Sequence, residues 1–422
     1  MAGFSARSAR RPRWWRVRCC CGRNGWSRLK PKRSLPMPDR LPPLSQRAQS
    51  LAAVGQASSW AIADEGLRRV AAGEDILLLT LGDPVCPPHP AIVAATKAGL
   101  DAGRTHYTPL HGEPALRAAI ARTEGCEPGN VMVMPGAQHS CLAVLTLIAG
   151  EGDEVILSDP FYATYPGVVA ATGAIAVRVP ARADLSTDVE AIAAAITPRT
   201  RCLFLNSPAN PSGTALSVAD FARLSELCEQ HNLWLVVDEV YSHFRFDGED
   251  VRAWQHGPRG RTVSVNSLSK SHAMTGFRIG WALAPAPLIA SLADWTAAAL
   301  FGVSQFIQDA AVVALSLPDS ELAAYRLAFR DRAQHVVSRA NSLQGLKAAM
   351  PAGGMFVMLD CRGVEPDDQR FARRLLDEAH VGVVPGSGFG AGGRGHVRIS
   401  LTPEVATLDR AFDRIAKFIP QA

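Results

Sequence analysis

Lysine is scarce in this chain. Six lysines stand beside thirty-eight arginines in 422 residues, and one of them, Lys270, directly follows an apolar run and lies between two serines. Arginine keeps its proton, whereas a lysine amine can lose its proton and condense with an aldehyde. The scarcity therefore argues for a chemical reason behind Lys270, although a lone lysine is more often a solvated surface residue.

Long apolar runs are also missing, since no stretch approaches the eighteen residues that indicate a membrane-spanning helix. We therefore expect no membrane partner. The nine cysteines are an odd set without repeated pair spacing. This favours reduced thiols over a disulfide framework and predicts a reducing, cytoplasmic location.

Basic charge is concentrated at the start of the chain. Residues 1–36 hold eleven Lys and Arg and no acid, whereas the remainder holds 33 basic against 39 acidic residues. A nucleic-acid partner is therefore excluded for the body of the protein. We expect the head to be a disordered tail. The alternatives are a transit peptide, non-specific nucleic-acid binding through its Arg and Trp, and a true start at Met37.

Seven short apolar runs recur in the middle of the chain, each followed by polar or glycine residues. They are residues 131–134, 154–157, 174–179, 202–205, 233–237, 262–265 and 279–284. Non-alternating runs of this kind are typical of strands covered on both faces of a mostly parallel sheet. With helical segments between them, they predict an α/β fold with a large doubly wound domain and a mostly parallel seven-stranded sheet.

One connecting segment, residues 216–231, shows the helical pattern most clearly. Its apolar positions on one face are Val218, Phe221, Leu224 and Leu227. Ser217 and Asp220 have the spacing of a capping pair, which predicts that the helix begins there.

The sequence pattern changes after about residue 305, where a long helical segment is followed by short apolar segments typical of strands. This pattern predicts a smaller α+β domain. The expected division of the chain has four parts. They are the basic tail at 1–36, an N-terminal segment at 37–88 joining the small domain, the large cofactor-binding domain at 89–305 and the small domain at 306–422.

Polar residues follow five of the apolar runs at the point where each strand is predicted to end. They are Gly136, Ala137 and Gln138; Phe161 and Tyr162; Asn206 and Asn210; Asp238, Glu239 and Tyr241; and Asn266, Ser267, Ser269 and Lys270. In open α/β sheets, ligands bind beyond the carboxyl ends of the strands. We therefore expect these side chains to share one rim of the sheet.

The residue types on this rim point to one cofactor. A lysine can form a Schiff base, a buried carboxylate can hold a protonated pyridine nitrogen, and an aromatic ring can stack on a flat group. Backbone amides at a glycine-led helix start, with serine hydroxyls and Arg278, can hold a phosphate. The combination predicts pyridoxal 5′-phosphate. Each residue alone has an ordinary explanation, such as a helix cap, a turn or a surface ion pair.

Several segments match a known family. They are "HYTPLHGEPALRAAIA", "GAQ", "DPFYATYPG", "NSPANPSGT", "VVDEVYS", "SLSKSHAMTGFRIGW" and "GHVRISL". Over residues 81–401 the chain resembles the fold-type I pyridoxal-phosphate aminotransferases of class I/II. The resemblance implies an enzyme that moves an amino group from an L-amino acid to a 2-oxo acid such as pyruvate by a ping-pong mechanism. It also implies a homodimer with shared active sites.

The resemblance implies catalytic roles for Lys270, Asp238 and Tyr241. Lys270 forms the Schiff base and then carries the proton between the substrate α-carbon and the cofactor. Asp238 keeps the pyridine nitrogen protonated, while Tyr241 and Asn210 hydrogen-bond the phenolic oxygen of the cofactor. Tyr162 stacks on the cofactor ring.

The resemblance also assigns the phosphate site, and it implies no metal. The phosphate contacts come from the backbone amides of Ala137 and Gln138, from the hydroxyls of Ser267 and Ser269, and from Arg278.

Three further residues are implied to bind substrate or to cross the dimer interface. Arg398 clamps the α-carboxylate of the substrate, with the Gly82 backbone and Asn210 nearby. Tyr107 reaches the phosphate in the partner subunit. The alternative for Arg398 is a surface residue, since the alternation in "VRIS" places it opposite its apolar neighbours, and the alternative for Tyr107 is a packing aromatic.

The donor amino acid is less well determined. The segments "NSLSKSHAMTG", "FIQDAA" and "GGMFVM" are most similar to members that transfer the amino group of arginine to pyruvate. The segment "VCPPHP" at residues 85–90 departs from the usual sequence near the substrate entrance. Asp83 and the residues around Phe301 are the candidates for receiving a guanidinium.

Other functions on the same fold stay open at this point. They are an aminotransferase of the aspartate, aromatic or alanine type and a carbon–sulfur lyase. A regulator that uses the fold as a ligand-binding domain is disfavoured, because the basic head is too short for a DNA-binding domain.

Overall fold

The apolar runs and helical segments form strands and helices in a computed structural model, which describes residues 43–54, 60–246 and 251–419. The basic head at 1–36 and Met37 lie outside the described residues. From Ser45 onward the chain forms one compact unit, and the predicted division into four parts stays a prediction. None of the helices in the described ranges has the length and apolar character needed to span a bilayer.

The described residues form thirteen strands. They are β1 (Leu77–Leu78), β2 (Val131–Met134), β3 (Glu154–Asp159), β4 (Ile175–Pro180), β5 (Thr200–Asn206), β6 (Trp234–Asp238), β7 (Thr262–Ser267), β8 (Gly280–Leu283), β9 (Lys347–Ala348), β10 (Phe356–Asp360), β11 (Val381–Gly382), β12 (Val384–Pro385) and β13 (His396–Ser400). Every apolar run between residues 131 and 284 is a strand, as the pattern predicts.

The α-helices of the same residues alternate with the strands of the large sheet and follow one another directly at 90–124 and 286–341. They are α1 (Gln46–Ala53), α2 (Ala61–Ala71), α3 (Pro90–Asp101), α4 (Pro114–Glu124), α5 (Ala137–Ile148), α6 (Tyr165–Thr172), α7 (Val189–Ala195), α8 (Val218–His231), α9 (Ala253–His256), α10 (Leu268–Ser271), α11 (Ala286–Ala299), α12 (Gln305–Ala314), α13 (Asp319–Asn341), α14 (Asp368–Glu378) and α15 (Val405–Phe418).

Seven of the strands form one sheet in the order β2-β8-β7-β6-β5-β3-β4. Only β8 runs antiparallel to its neighbours, so the sheet is mostly parallel. Successive residues of a strand face opposite sides. Val236 packs in the cluster with α5, α6 and α11, whereas Leu235 and Val237 pack in the cluster with α7 and α8. Both faces are therefore covered, and the predicted α/β fold is confirmed.

The edge strand β4 differs from the prediction. Only Val179 of its six residues is buried, so the expectation of a strand covered on both faces is wrong for this run. The reason is its place at the edge of the sheet, where β3 pairs with it on one side alone. An apolar run does not distinguish a central strand from an edge strand.

The helix α8 begins as predicted, with one exception in its apolar face. Ser217 and Asp220 form a reciprocal capping box, and Phe221 and Leu224 are fully buried. Val218, placed on the same apolar face by the sequence pattern, is 50% exposed. It is the first helical residue and lies beyond the part of the face that packs on the sheet.

A second, antiparallel sheet has the order β12-β13-β10-β9, and α13, α14 and α15 pack in its core. The short strand β1 pairs with β11 in parallel, with Leu77 opposite Val381. This pairing brings the segment that follows β1 alongside β13, where the backbone of Ser400 donates to the carbonyl oxygen of Leu79 at 2.9 Å. Residues 79–83 consequently run past the carboxyl ends of the large sheet.

Candidate active site

The carboxyl ends of the parallel strands border a cavity of about 340 Å³. Thirteen residues are predicted for the site from the sequence, and all except Tyr107 line this cavity. Asp83, which the sequence offers as a candidate for receiving a guanidinium, also lines it. The lining residues without a predicted role are Trp60, Leu81, Tyr165, Asn206, Val240, Thr275 and Phe356. The cavity therefore brings together most of the residues that the sequence predicts to share one rim of the sheet.

Lys270 lies in α10, the single turn of helix that follows β7 directly. Ser267 caps this turn by accepting a hydrogen bond from the backbone of Ser269 at 3.3 Å. The Lys270 Nζ donates to the carbonyl oxygen of Gly82 at 2.7 Å. Burial lowers the pKa of the amine below its usual value, and the charge of Asp83 opposes that change. A desolvated amine is more readily neutral, which a nucleophile requires.

Asp238 ends β6 and is 6% exposed. The hydroxyl of Tyr165 donates to its Oδ2 at 2.9 Å, and the backbone of Val240 donates to its Oδ1 at 3.2 Å. Burial raises the pKa of Asp238 to about 6, although both hydrogen bonds favour the ionised form. No ion pair joins Asp238 to another described residue, so its charge is available to a cation in the cavity.

The loop after β5 is held against the end of β6 by Asn206. Its Oδ1 accepts from the backbone of Asn210 at 2.7 Å, and its Nδ2 donates to the carbonyl oxygen of Asp238 at 2.8 Å. These bonds aim the side chain of Asn210 at the cavity. Burial raises the pKa of Tyr241 above its usual range, and a hydrogen bond with Asn210 opposes that rise.

The start of α5 faces the same cavity. Gly136 precedes it with a φ of +83°, and a Cβ at this position would lie 2.7 Å from the Arg278 Nη2. Glycine is needed here both for the backbone conformation and for the approach of the guanidinium. The first amides of a helix have no partner within it, so those of Ala137 and Gln138 are available to an anion.

The opposite wall of this anion-binding corner comes from the segment after β7. The hydroxyl-bearing Ser267 and Ser269 are both buried. Arg278 has a left-handed backbone with a φ of +54°, and its Nη1 donates to the carbonyl oxygen of Thr275 at 2.7 Å. Hydroxyls, amides and a guanidinium therefore converge on one corner, which suits a phosphate.

Arg398 on β13 is only 1% exposed, so the alternative of a surface arginine is wrong. Both faces of β13 are covered, so residues facing either side of this strand are buried and the sequence alternation does not distinguish buried from exposed positions. Its Nη1 donates to the Asn210 Oδ1 at 2.9 Å and its Nη2 to the carbonyl oxygen of Thr80 at 2.7 Å.

This buried guanidinium has no acidic partner among the described residues. Its Nε atom has no hydrogen-bond partner, and burial lowers the pKa of Arg398 to about 10. A buried charge without a counter-ion is costly, so the site is arranged to receive an anion.

Two aromatic predictions have different outcomes. Tyr162 lines the cavity, and its ring meets that of Tyr165 edge-on with centroids 5.5 Å apart. Tyr107 lies outside the cavity wall and is 83% exposed, with its ring 5.5 Å from that of Phe301. It therefore lies outside the cavity of its own chain, and both its predicted role and its alternative as a packing aromatic stay predictions.

Three aromatic residues of the site have no predicted role from the sequence. Tyr165 donates to Asp238, while Trp60 and Phe356 lie 5.5 Å and 3.9 Å from the Arg398 guanidinium carbon. Tyr165 follows Tyr162 by three residues in a matched segment, which was the available signal. Phe356 lies in the segment "GGMFVM", which offered a signal of the same kind. Trp60 lies in none of the matched segments and reaches the site through tertiary packing.

Comparisons with known proteins agree with this geometry. A family model for aminotransferase class I and II matches residues 74–415. Arginine–pyruvate transaminase of Pseudomonas aeruginosa is 45% identical over 369 residues, which cover 85% of this chain and 94% of that protein. Aspartate aminotransferase of Geobacillus stearothermophilus is 33% identical over 88% of this chain and 98% of its own length.

Solved structures give the same family. Aspartate aminotransferase from Rhizobium meliloti superposes with a TM-score of 0.84 at 33% identity, covering 89% of this chain and 98% of that one. Aspartate aminotransferase from Thermus thermophilus with maleate gives 0.81 at 32% identity, over 89% of this chain and 100% of that one. The chain is therefore a member of the class I and II aminotransferases, the pyridoxal-phosphate-dependent enzymes that transfer an amino group from an amino acid to a 2-oxo acid.

Proposed function

We propose that this aminotransferase holds pyridoxal 5′-phosphate in the cavity and transfers the amino group of arginine to pyruvate. The observation that carries the proposal is one cavity that brings together Lys270, Asp238, Arg278 and Arg398. The 45% identity to an arginine–pyruvate transaminase supports the choice of donor and acceptor. The aspartate aminotransferases of Geobacillus stearothermophilus and Musicola paradisiaca are less similar, at 33% and 31% identity.

The donor set of the cavity fits the cofactor. The corner formed by the α5 amides, two serines and Arg278 suits its phosphate, and Asp238 suits a protonated ring nitrogen on the other side of the site. Gly136 leaves the room that Arg278 needs beside the helix start, since a Cβ there would approach the guanidinium to 2.7 Å. Tyr162 offers an aromatic face between these two ends.

Pyridoxal phosphate, when bound, supplies an aldehyde that captures the donor amine and a ring that accepts electrons from the α-carbon. Lys270 would hold the aldehyde through its amine and would move the proton at the α-carbon, a task that its lowered pKa assists. Asp238 neutralises the cationic ring nitrogen. Tyr241 and Asn210 hold the ring oxygen and orient the ring.

Arg398 serves both halves of a ping-pong reaction. A donor amino acid and a 2-oxo acid share the carboxylate next to the reacting carbon, so one buried guanidinium can bind each in turn. Asn210 and Thr80 hold two of its nitrogens, and this fixes the direction in which it meets the carboxylate. A planar guanidinium binds a carboxylate with two parallel hydrogen bonds.

The proposal includes a homodimer in which Tyr107 completes the phosphate site of the partner subunit. Tyr107 is 83% exposed and lies outside the cavity of its own chain. Phe301, at its side, is 56% exposed with a φ of +62°. Exposed aromatic side chains on a strained loop are consistent with burial against a second copy.

A panel of donors tests the proposed reaction. We expect arginine with pyruvate to give the highest kcat/KM, and we expect exchange of the amino group without release of ammonia. The donor half-reaction alone converts the aldehyde form of the cofactor to its amine form. This conversion is monitored by the change in cofactor absorbance. An aspartate or aromatic donor in first place would replace arginine, and stoichiometric ammonia would indicate a lyase instead.

Arg398→Ala is expected to raise the KM of every donor and acceptor by roughly ten- to hundredfold, because all of them lose the same charged hydrogen bonds. Arg398→Lys keeps the charge but loses the planar guanidinium, and we expect it to raise the same KM values by a smaller factor. Steady-state kinetics with several donors measures this.

The matched control is Arg370→Ala, which removes an exposed arginine of α14. It should leave every KM near the wild-type value. An Arg398→Ala loss confined to one donor contradicts the shared-carboxylate role.

A further inference from the structure

The cavity has one more charged lining residue than the proposed cofactor and substrate groups account for. The charged lining residues are Asp83, Asp238, Lys270, Arg278 and Arg398. Under the proposed function, on which this inference rests, four of them are matched by the ring nitrogen, the aldehyde, the phosphate and the substrate α-carboxylate. Asp83 alone has no assigned partner.

The backbone that carries Asp83 is held firmly in the site. Three successive carbonyl oxygens accept hydrogen bonds from side chains of the cavity wall or its neighbours. They are those of Thr80, Leu81 and Gly82, which accept from Arg398, Ser400 and Lys270 at 2.7, 2.5 and 2.7 Å. The segment thus passes from the carboxylate clamp to the lysine, and Asp83 is the next residue.

Close packing fixes the same segment from the other side. A Cβ on Gly82 would lie 2.5 Å from the Phe356 ring, so the backbone lies directly on that ring. The ring in turn lies 3.9 Å from the Arg398 guanidinium carbon. The position of the Asp83 backbone is therefore determined by the site itself, unlike that of an ordinary surface carboxylate.

The carboxylate of Asp83 is unpaired in the described part of the chain. No hydrogen bond or ion pair joins it to another described residue, and the residue is exposed at the cavity mouth. Its charge acts on Lys270, where it is the strongest of the charged neighbours. When the amine of Lys270 is engaged in the reaction, that cation is no longer free to balance Asp83.

The cations of the cavity lead to the complementary conclusion. Lys270, Arg278 and Arg398 are the lining cations among the described residues, and each already has a partner in the proposed reaction. A donor with an acidic side chain therefore finds no unassigned cation on this wall. A donor with a cationic side chain finds Asp83.

We propose that Asp83 accepts the side-chain cation of the donor and thereby selects guanidinium-bearing amino acids over neutral and acidic ones. The guanidinium of arginine offers paired N–H donors to the two carboxylate oxygens. Because Asp83 is exposed, solvent weakens this contact, and the preference is moderate rather than absolute.

Arginine and citrulline provide the test, because citrulline has nearly the same shape with a neutral ureido group. We expect the wild-type holoenzyme to prefer arginine, and Asp83→Asn to lower the arginine-to-citrulline ratio of kcat/KM by roughly ten- to hundredfold. The matched control is Asp101→Asn, an exposed carboxylate on α3 that should leave the ratio unchanged.

A binding measurement separates this inference from the proposed function. The probes are 5-guanidinopentanoate and 5-ureidopentanoate, which lack the amino group and cannot react. Calorimetry of the holoenzyme should show tighter binding of the guanidino compound, with the difference lost in Asp83→Asn. This readout does not depend on turnover.

The possible outcomes are distinct. If Asp83→Asn lowers kcat/KM equally for arginine and citrulline, Asp83 acts through Lys270 and the proposal is overturned. Equal affinity of the wild type for the two probes overturns it as well. If the probes differ as expected but no amino acid is transaminated, the cation site stands and the proposed function fails.

Discussion

Replacement of Lys270 by alanine should abolish nearly all turnover, by at least about 10⁴-fold, and should remove covalent attachment of the cofactor. Under the proposed function the side chain has two tasks at one atom, since the amine would hold the aldehyde of the cofactor and would also move the proton at the α-carbon. General acid–base catalysis alone contributes about 10²–10⁴-fold. Borohydride reduction followed by peptide mass analysis detects the attachment, and a single-turnover assay measures the rate.

Two variants make this result specific. Lys270→Arg keeps a positive charge of similar length but stays protonated, so we expect it to be as inactive as the alanine variant. Lys97→Ala removes an exposed lysine on α3 and should behave as the wild type. If Lys270→Ala keeps its fold by circular dichroism and more than a tenth of wild-type activity, the assignment of Lys270 as the nucleophile is contradicted.

The site was predictable from the sequence wherever strand ends determine it. Asp238 ends β6, and Lys270 lies in the turn that follows β7. Neighbouring parallel strands end at one edge of a sheet, so their flanking polar residues meet without further information. The pattern of apolar runs gave those ends to within two residues, which is enough to name the residues that share the rim.

The residues that escaped prediction reach the site by tertiary contact. Phe356 and Trp60 lie beside the Arg398 guanidinium, but neither follows an apolar run of the large sheet. Their approach depends on how the antiparallel sheet and the segment before β1 pack, which a periodic pattern does not specify. Asp83 was named from the sequence as a candidate for a guanidinium, but its place at the cavity also depends on tertiary contact, because the pairing of β1 with β11 brings its segment there.

Burial sets the electrostatics of the site. Desolvation lowers the pKa of Lys270 and raises that of Asp238, and it lowers the pKa of Arg398. Each change disfavours the charged form of a group that will meet an oppositely charged or electrophilic ligand. The cavity thus gains more from ligands than a solvated site with the same residues, since the groups have already lost most of their water.

Asp238→Ala is expected to bind the cofactor and yet to lower the single-turnover rate by at least about 10²-fold. The proposed phosphate contacts lie at the start of α5 and near Arg278, so they should survive the substitution. In the proposed function the lost carboxylate neutralises a cationic ring nitrogen, and without it that nitrogen would lose its proton and attract electrons less strongly. Gel filtration tests retention of the cofactor, and stopped-flow absorbance measures the rate.

Two variants, Asp238→Asn and Tyr165→Phe, separate the effect of the Asp238 charge from the effect of its size. Asparagine keeps the size without the charge, so we expect a loss as large as that of alanine. The Tyr165 hydroxyl donates to the Asp238 Oδ2 at 2.9 Å, and this bond favours the ionised carboxylate. Removal of this hydrogen bond in Tyr165→Phe raises the pKa of Asp238, so Asp238 gains a proton at a higher pH. The fall of the rate on the acid side of the pH profile should therefore move to higher pH. A wild-type single-turnover rate in Asp238→Asn contradicts the role of the charge, whatever the Tyr165 variant does.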